Sequence, residues 1–165
     1  MAFNGFVNFG DIKGESTDKD HKDWVTILSF DHAIRQPASV TQKSAGGRAA
    51  EEADHSPFSI TKLLDAATPK LYEASCKGTH IPEVTIELWR AGGDNPLKYM
   101  EYKLKEVLVS AVIANGNPVG PAQFPTETVQ LTYGAIEWTY TKQDEKGAAK
   151  GNVAAKWSVA KGAAA

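Results

Sequence analysis

Little in this sequence is suited to catalysis, and each scarcity removes a class of function. Cys76 is the only cysteine, so no internal disulfide can form and the fold must rest on burial. No run of about 18 apolar residues occurs, so no helical membrane span is predicted. Charge of neither sign dominates: 18 Lys and Arg face 20 Asp and Glu, a net charge of −2. A phosphate backbone or an anionic membrane is therefore not an expected partner, which argues against nucleic-acid binding and membrane insertion. The opening residues Met1–Val7 carry no basic segment and no sustained apolar stretch, so they do not read as a secretory signal. These features predict a soluble, cytoplasmic chain whose export would need a signal-independent route.

Catalytic and metal-binding patterns are equally thin. The histidines His21, His32, His55 and His80 show no HxH, HxxxH or HExxH spacing, although metal sites usually draw two ligands from one local element. Glu15, Asp18 and Asp20 lie in a run of charge that lacks the glycine and terminal glutamate of a calcium loop, so a solvated loop is expected there. Lys146–Asn152 has the composition of a phosphate loop without its Gly-Lys-Ser/Thr ending. Cys76 falls at the end of a predicted helix rather than at its start, where a thiol would be activated, and is read as a small buried hydrophobe. No catalytic residue, metal ligand or cofactor is assigned.

What is present is period-two patterning. The 165 residues, 42% of them hydrophobic, suffice for one domain with one core. From Val84 to Leu88, Met100 to Leu104 and Val129 to Tyr133, apolar residues alternate with Thr, Glu, Gln and Lys, as in antiparallel strands with one buried face. A first strand is expected from Phe3 to Phe9 and a second from Trp24 to Arg35. In the second, Leu28, Phe30, His32 and Ile34 take the core parity, while Ser29, Asp31, Ala33 and Arg35 form an exposed wall of mostly small residues. A short strand follows at Phe58–Ile60. The alternation from Tyr99 to Ile113 is lost near Glu106. A long strand from Thr128 to Thr141 changes phase at Gly134, where a β-bulge is expected.

The other elements follow from turn and cap residues. Thr68 as N-cap, Pro69 at the first helical position and Gly78 at the left-handed end predict one short helix, with Leu71, Ala74 and Ser75 on one face. Gln36–Pro57 reads as a long extended loop, a length usually associated with function. Ala91–Pro96 is a dense turn signal. Val153, Trp157 and Val159 anchor a last edge strand, and residues 160–165 are expected to fray.

Several segments then carry a likeness. Gly14–Lys22, Phe58–Asp65, Thr79–Val84, Arg90–Asp94, Tyr99–Leu104 and Glu137–Tyr140 occur in an order and spacing that resemble the haemolysin-coregulated protein family, Hcp. These are the tube subunits of the bacterial type VI secretion system, and the likeness runs from Phe3 to Trp157. It implies a mainly β fold, a β-barrel-like domain of two antiparallel sheets with one short α-helix. It also implies a homohexamer whose rings stack into a hollow tube, with a VgrG-type spike, a contractile sheath and small effector proteins as partners. Secretion without a signal peptide would follow. Carried over by position, Trp24–Arg35 matches the strand contributing to the lumen wall, so Ser29, Asp31 and Ala33 become the effector-facing candidates. Ala38–Ser56 matches a loop that reaches toward the adjacent ring.

Two competing readings come from other classes. One is a monomeric β-sandwich that binds small ligands or glycans on Trp24, Trp89, Trp138 or Trp157. The other is a metal-dependent hydrolase, which the histidine spacing does not encourage.

Overall fold

The computed structural model describes residues 3–37, 52–90, 96–116 and 124–165. Expectations for residues 38–51, within the long loop, and for the turn at 91–95 lie outside the described residues. The elements are β1 (Phe3–Asn8), β2 (Val25–Ile27), β3 (Ser29–Asp31), β4 (Ile34–Arg35), β5 (Asp54–His55), β6 (Phe58–Leu63), α1 (Thr68–Lys77), β7 (His80–Arg90), β8 (Leu97–Asn115), β9 (Thr126–Thr132), β10 (Ala135–Gln143), β11 (Ala149–Ser158) and β12 (Ala163–Ala164).

All pairings are antiparallel, and they close on themselves. β1 lies between β2 and β7; β7 pairs with β8; the second half of β8 pairs with β9; β9 pairs with β6, and β6 with β3. Because β2 runs directly into β3, this circuit is a barrel with no free edge along most of its wall, the arrangement that removes edge-to-edge pairing. The first half of β8 instead pairs with β10, which carries β11 and then β12 as a wing. A separate two-stranded sheet, β4 with β5, forms an arm. The fold is thus mainly β and barrel-like, as the resemblance implies.

Alternation places the core inside the barrel. Val7, Val25, Phe58, Ile60, Val84, Ile86, Leu104, Val107, Val129, Leu131 and Ile136 are all fully buried, and Leu71 and Ala74 of α1 pack onto them. Each fully buried Leu, Ile, Val or Phe contributes about 1.5–3 kcal/mol relative to exposure, so this cluster dominates the stability.

Irregular points sit where strands change partner. Leu28, predicted to face the core, is 52% exposed, and Ile34 is 42% exposed. At Leu28 the chain leaves β1 and joins β6, its N–H donating to the Thr61 carbonyl at 2.7 Å. The parity resets there, so Val25 and Ile27 point inward before it and Phe30 after it. Trp24–Arg35 is accordingly three short strands rather than one. Glu106 has φ +51°, a left-handed conformation disfavoured for residues with a Cβ, at the point where β8 exchanges β10 for β9. Opposite it, Gly134 separates β9 from β10. A Cβ on Gly134 would lie 3.2 Å from the Glu106 Cβ, so the two backbones approach only because glycine is there. The predicted change of phase is real, but the long strand is two strands joined at a corner.

α1 begins after Ala67, and the Thr68 hydroxyl is engaged elsewhere instead of capping the helix. Gly78 ends it in the left-handed conformation at φ +61°, with Thr79 N–H bonded back to the Ala74 carbonyl. At the chain's end, residues 160–165 do not fray as expected. A turn returns the chain so that Ala163 and Ala164 pair with Ser158 and Trp157.

Candidate functional site

The strand registers arrange the barrel's outward side chains into two surfaces of different chemistry. On the first, inward Phe58, Ile60, Val129 and Leu131 alternate with outward Ser59, Thr61, Thr128 and Gln130. Register aligns Ser29, Thr61, Thr128 and Ile113 in one row, and Asp31, Ser59, Gln130 and Ala111 in the next. The result is a wall of mostly Ser, Thr, Gln and Ala side chains, with Ile113 exposed at one end of a row and Asp31 as the one charged group in these two rows. Its carboxylate has no ion-pair partner among the described residues.

Ser29 and Asp31 are therefore brought together, exposed, at the β3 edge of this wall. Ala33 is not. It lies beyond β3, half-buried, where its N–H donates to the Ser56 Oγ at 2.8 Å and its carbonyl accepts from the Ser56 N–H at 2.9 Å. The expectation that all three continue one exposed face fails at Ala33, because the chain departs from the β6 ladder there.

The second surface, over β7, β8, β10 and β11, is a ladder of opposite charges. Thr85, Lys103, Glu137 and Lys156 are aligned across four strands. Glu137 meets Lys105 at 2.8 Å and Lys156 at 3.5 Å. Lys98 bridges Glu87, at 3.1 Å, and Glu101. The hydrogen bond from Lys105 holds the Glu137 carboxyl below the ordinary glutamate range. These charges satisfy one another, whereas Asp31 on the first wall has no ion-pair partner among the described residues.

Three polar clusters went unrecognised in the sequence. His21, expected in a solvated loop, is 3% exposed. Its ring stacks on Phe6 at 4.1 Å, with Trp24 and Trp89 edge-on. Nδ1 lies 2.6 Å from Asp18 Oδ1 and Nε2 lies 2.8 Å from Glu87 Oε2, so the 10–22 segment is pinned over the outer face of β1 and β7. The His21 hydrogen bond lowers the Asp18 carboxyl; burial raises Glu87, but bonds from His21, Trp89 and Lys98 outweigh it and leave Glu87 lowered.

The second cluster is a fully buried pair, Lys62 Nζ with Glu127 Oε1 at 2.5 Å. Asp65 Oδ1, the Leu63 carbonyl and Thr68 Oγ1 complete the ammonium's shell, while Glu127 Oε2 has no hydrogen-bond partner. The sequence did hold a signal: Lys62 follows Phe58 and Ile60 at core parity, Glu127 precedes Val129 and Leu131, and the two are register partners. The third cluster places His32 Nε2 and His55 Nδ1 at 2.7 and 2.9 Å from the Tyr133 hydroxyl.

The remaining candidates fall as follows. Cys76 is exposed, not buried as expected, because the helix turns its Leu71 and Ala74 face inward and leaves Cys76 outside. Among the described residues no group of three His, Cys, Asp or Glu side chains is placed to hold a metal. None of the four tryptophans stands as an open platform. Trp24 and Trp89 flank His21, and Trp138 and Trp157 pack against the core.

The barrel thus carries a mostly neutral wall on one side and a ladder of paired charges on the other, and comparison with known proteins supplies the family. The family model described as type VI secretion system effector, Hcp, matches residues 6–140. The chain belongs to the Hcp family. It is 34% identical over 151 residues to Protein hcp1 of Pseudomonas aeruginosa, covering 92% of this chain and 91% of the relative. It is 28% identical over 138 residues to the Major exported protein of the same organism, covering 79% and 76%. Among solved structures, one described as a type six secretion system protein superimposes with a TM-score of 0.92 at 28% identity, covering 99% of this chain and 100% of that one. The Hcp assignment places the chain among type VI secretion proteins, a family with exported members.

Proposed function

We propose that this Hcp protein is a non-enzymatic subunit of the type VI secretion inner tube. Six copies close head-to-tail into a ring, rings stack into a hollow tube, and the tube carries small effector proteins in its lumen. A VgrG-type spike and a contractile sheath are the partners that cap and drive it, from the cytoplasm outward. The observation that carries this reading is the neutral Ser/Thr/Gln wall. A surface that must let varied cargo pass is best built from short, uncharged hydrogen-bonding groups with no strong field, and the sheet centred on β6 and β9 presents that surface.

The rest of the molecule fits the same role. A heterologous interface whose rotation closes gives a ring. From Ala149 to Ala155, β11 pairs among the described residues with β10 on one side only, and an edge of this length calls for protection by a neighbour. Ser29→Gln and Asp31→Arg are expected to leave ring assembly intact and to lower the effector that co-purifies. Unchanged loading in both variants removes the lumen assignment. Sedimentation showing only monomers at about 10 μM, a concentration at which interfaces of standard size are occupied, removes the ring.

A further inference from the structure

We propose that His32, Tyr133 and His55 form an acid-sensitive latch fastening the β4–β5 arm to the barrel. His32 follows β3 and Tyr133 follows β9, both on the barrel, whereas His55 belongs to the arm. The Tyr133 hydroxyl sits between the two imidazoles, 2.7 Å from His32 Nε2 and 2.9 Å from His55 Nδ1. A phenol has one hydrogen to give. It donates to one ring nitrogen and accepts from the N–H of the other, so both bonds exist only while at least one imidazole is neutral. When both carry a proton, the phenol hydrogen loses its acceptor and two cations face one oxygen.

The surroundings decide the direction. Asp31 is the anion that favours a charged His32; burial and the neighbouring His55 oppose it more strongly, and His32 is held below the ordinary histidine range. Phe58 stacks on His32, and Tyr102 meets it edge-on, neither supplying charge. Beside His55 on the arm, Asp54 is the register partner of Arg35. Burial pushes the Tyr133 phenol up, so it remains a hydrogen donor throughout the range in which histidine titrates.

β4 and β5 contribute two residue pairs, and Ile34 is partly exposed. Ser56 and Ala33 are hydrogen-bonded to one another at the base of the arm, and the His55 ring meets Tyr133 edge-on. Losing the phenol bridge removes both side-chain hydrogen bonds that join His32 and His55 through Tyr133. Under the reading in which this loop reaches the adjacent ring, ring–ring contacts become acid-labile; that consequence rests on the stacking reading, but the latch does not.

Amide hydrogen exchange on the full chain tests the latch, read as protection factors with the intrinsic pH dependence divided out. At Ala33 and Ser56, protection is expected to fall about tenfold or more between about pH 7.5 and about pH 4.5, below the ordinary histidine range, where the lowered His32 also gains its proton, while Ile60 in β6 keeps its protection. Tyr133→Phe is expected to show low protection at both values, and His55→Gln, which cannot titrate, to show a much weaker fall. Equal wild-type protection at the two pH values overturns the latch, as does a wild-type fall retained in Tyr133→Phe or, should that variant not fold, in His55→Gln. Sedimentation at the same pH values reads stacking separately, so an arm that loosens without a change in assembly supports the latch and removes only its consequence.

Discussion

Replacing Lys62 by Met should be among the most damaging single changes in this protein. Lys62 and Glu127 are fully buried and face one another across β6 and β9. Without the ammonium, Glu127 Oε1 keeps one neutral donor, the Thr68 hydroxyl at 2.8 Å, and Oε2 still has none. Asp65 keeps the Ala67 N–H at 2.9 Å and stands at the surface side of the cluster, so it suffers less. The loss is therefore chiefly that of an uncompensated buried carboxylate, which destabilises by about 3–5 kcal/mol. Neutralising that carboxylate as well should recover much of it: Lys62→Met/Glu127→Gln is expected to lie about 2 kcal/mol above Lys62→Met alone, and whatever Glu127→Gln costs by itself adds to that figure in the coupling energy. Urea denaturation of the four proteins at one fixed protein concentration gives the cycle, because assembly otherwise shifts the midpoint. A Lys62→Met variant losing less than about 1 kcal/mol, the range of exposed pairs, refutes the argument that this pair is desolvated.

Glu106→Gly should raise stability by about 1 kcal/mol, because the left-handed backbone there no longer opposes a Cβ; a lowered urea midpoint contradicts the strained-corner assignment. Acid should weaken the 10–22 segment's attachment. Asp18 and Glu87 are lowered in the folded state, so their contribution is complete above the unfolded carboxyl range near about pH 4 and is lost as pH falls through the lower folded values. The acid limb of stability against pH should accordingly be shallower in His21→Gln than in the wild type, and identical limbs would falsify the ion-pair account. Cys76, exposed on α1, should react with a thiol reagent in the native protein at one equivalent per chain, and a requirement for denaturant would show that the helix is rotated or covered.

The strands were legible because a barrel wall exposes one face to the core, and alternation at Val84–Leu88, Met100–Leu104 and Val129–Tyr133 records that face directly. Corners were not. At Leu28 the chain changes partner, and a parity extrapolated through it puts Leu28 and Ile34 inside when both are exposed. Gly134 was readable as a break because glycine permits the close approach. Its counterpart Glu106 carries no such mark in its residue type, although alternation fails beside it. The buried charges escaped notice for a related reason: Lys62 and Glu127 look solvated until register shows that each is the other's partner. His21 was missed because its partners are far apart in sequence, with Glu87 and Trp89 on another strand. On the candidate wall, Ser29 and Asp31 emerge where alternation places them, while Ala33 follows the arm.

The proposed tube role requires that one particular side of the barrel face a lumen. Electron microscopy of the purified protein, at a resolution that traces strands, reads this directly. The expected image is a sixfold annulus whose inner surface carries the row Ser29, Thr61 and Thr128 from every subunit. A monomer, or a ring with that row on its outer circumference, contradicts it.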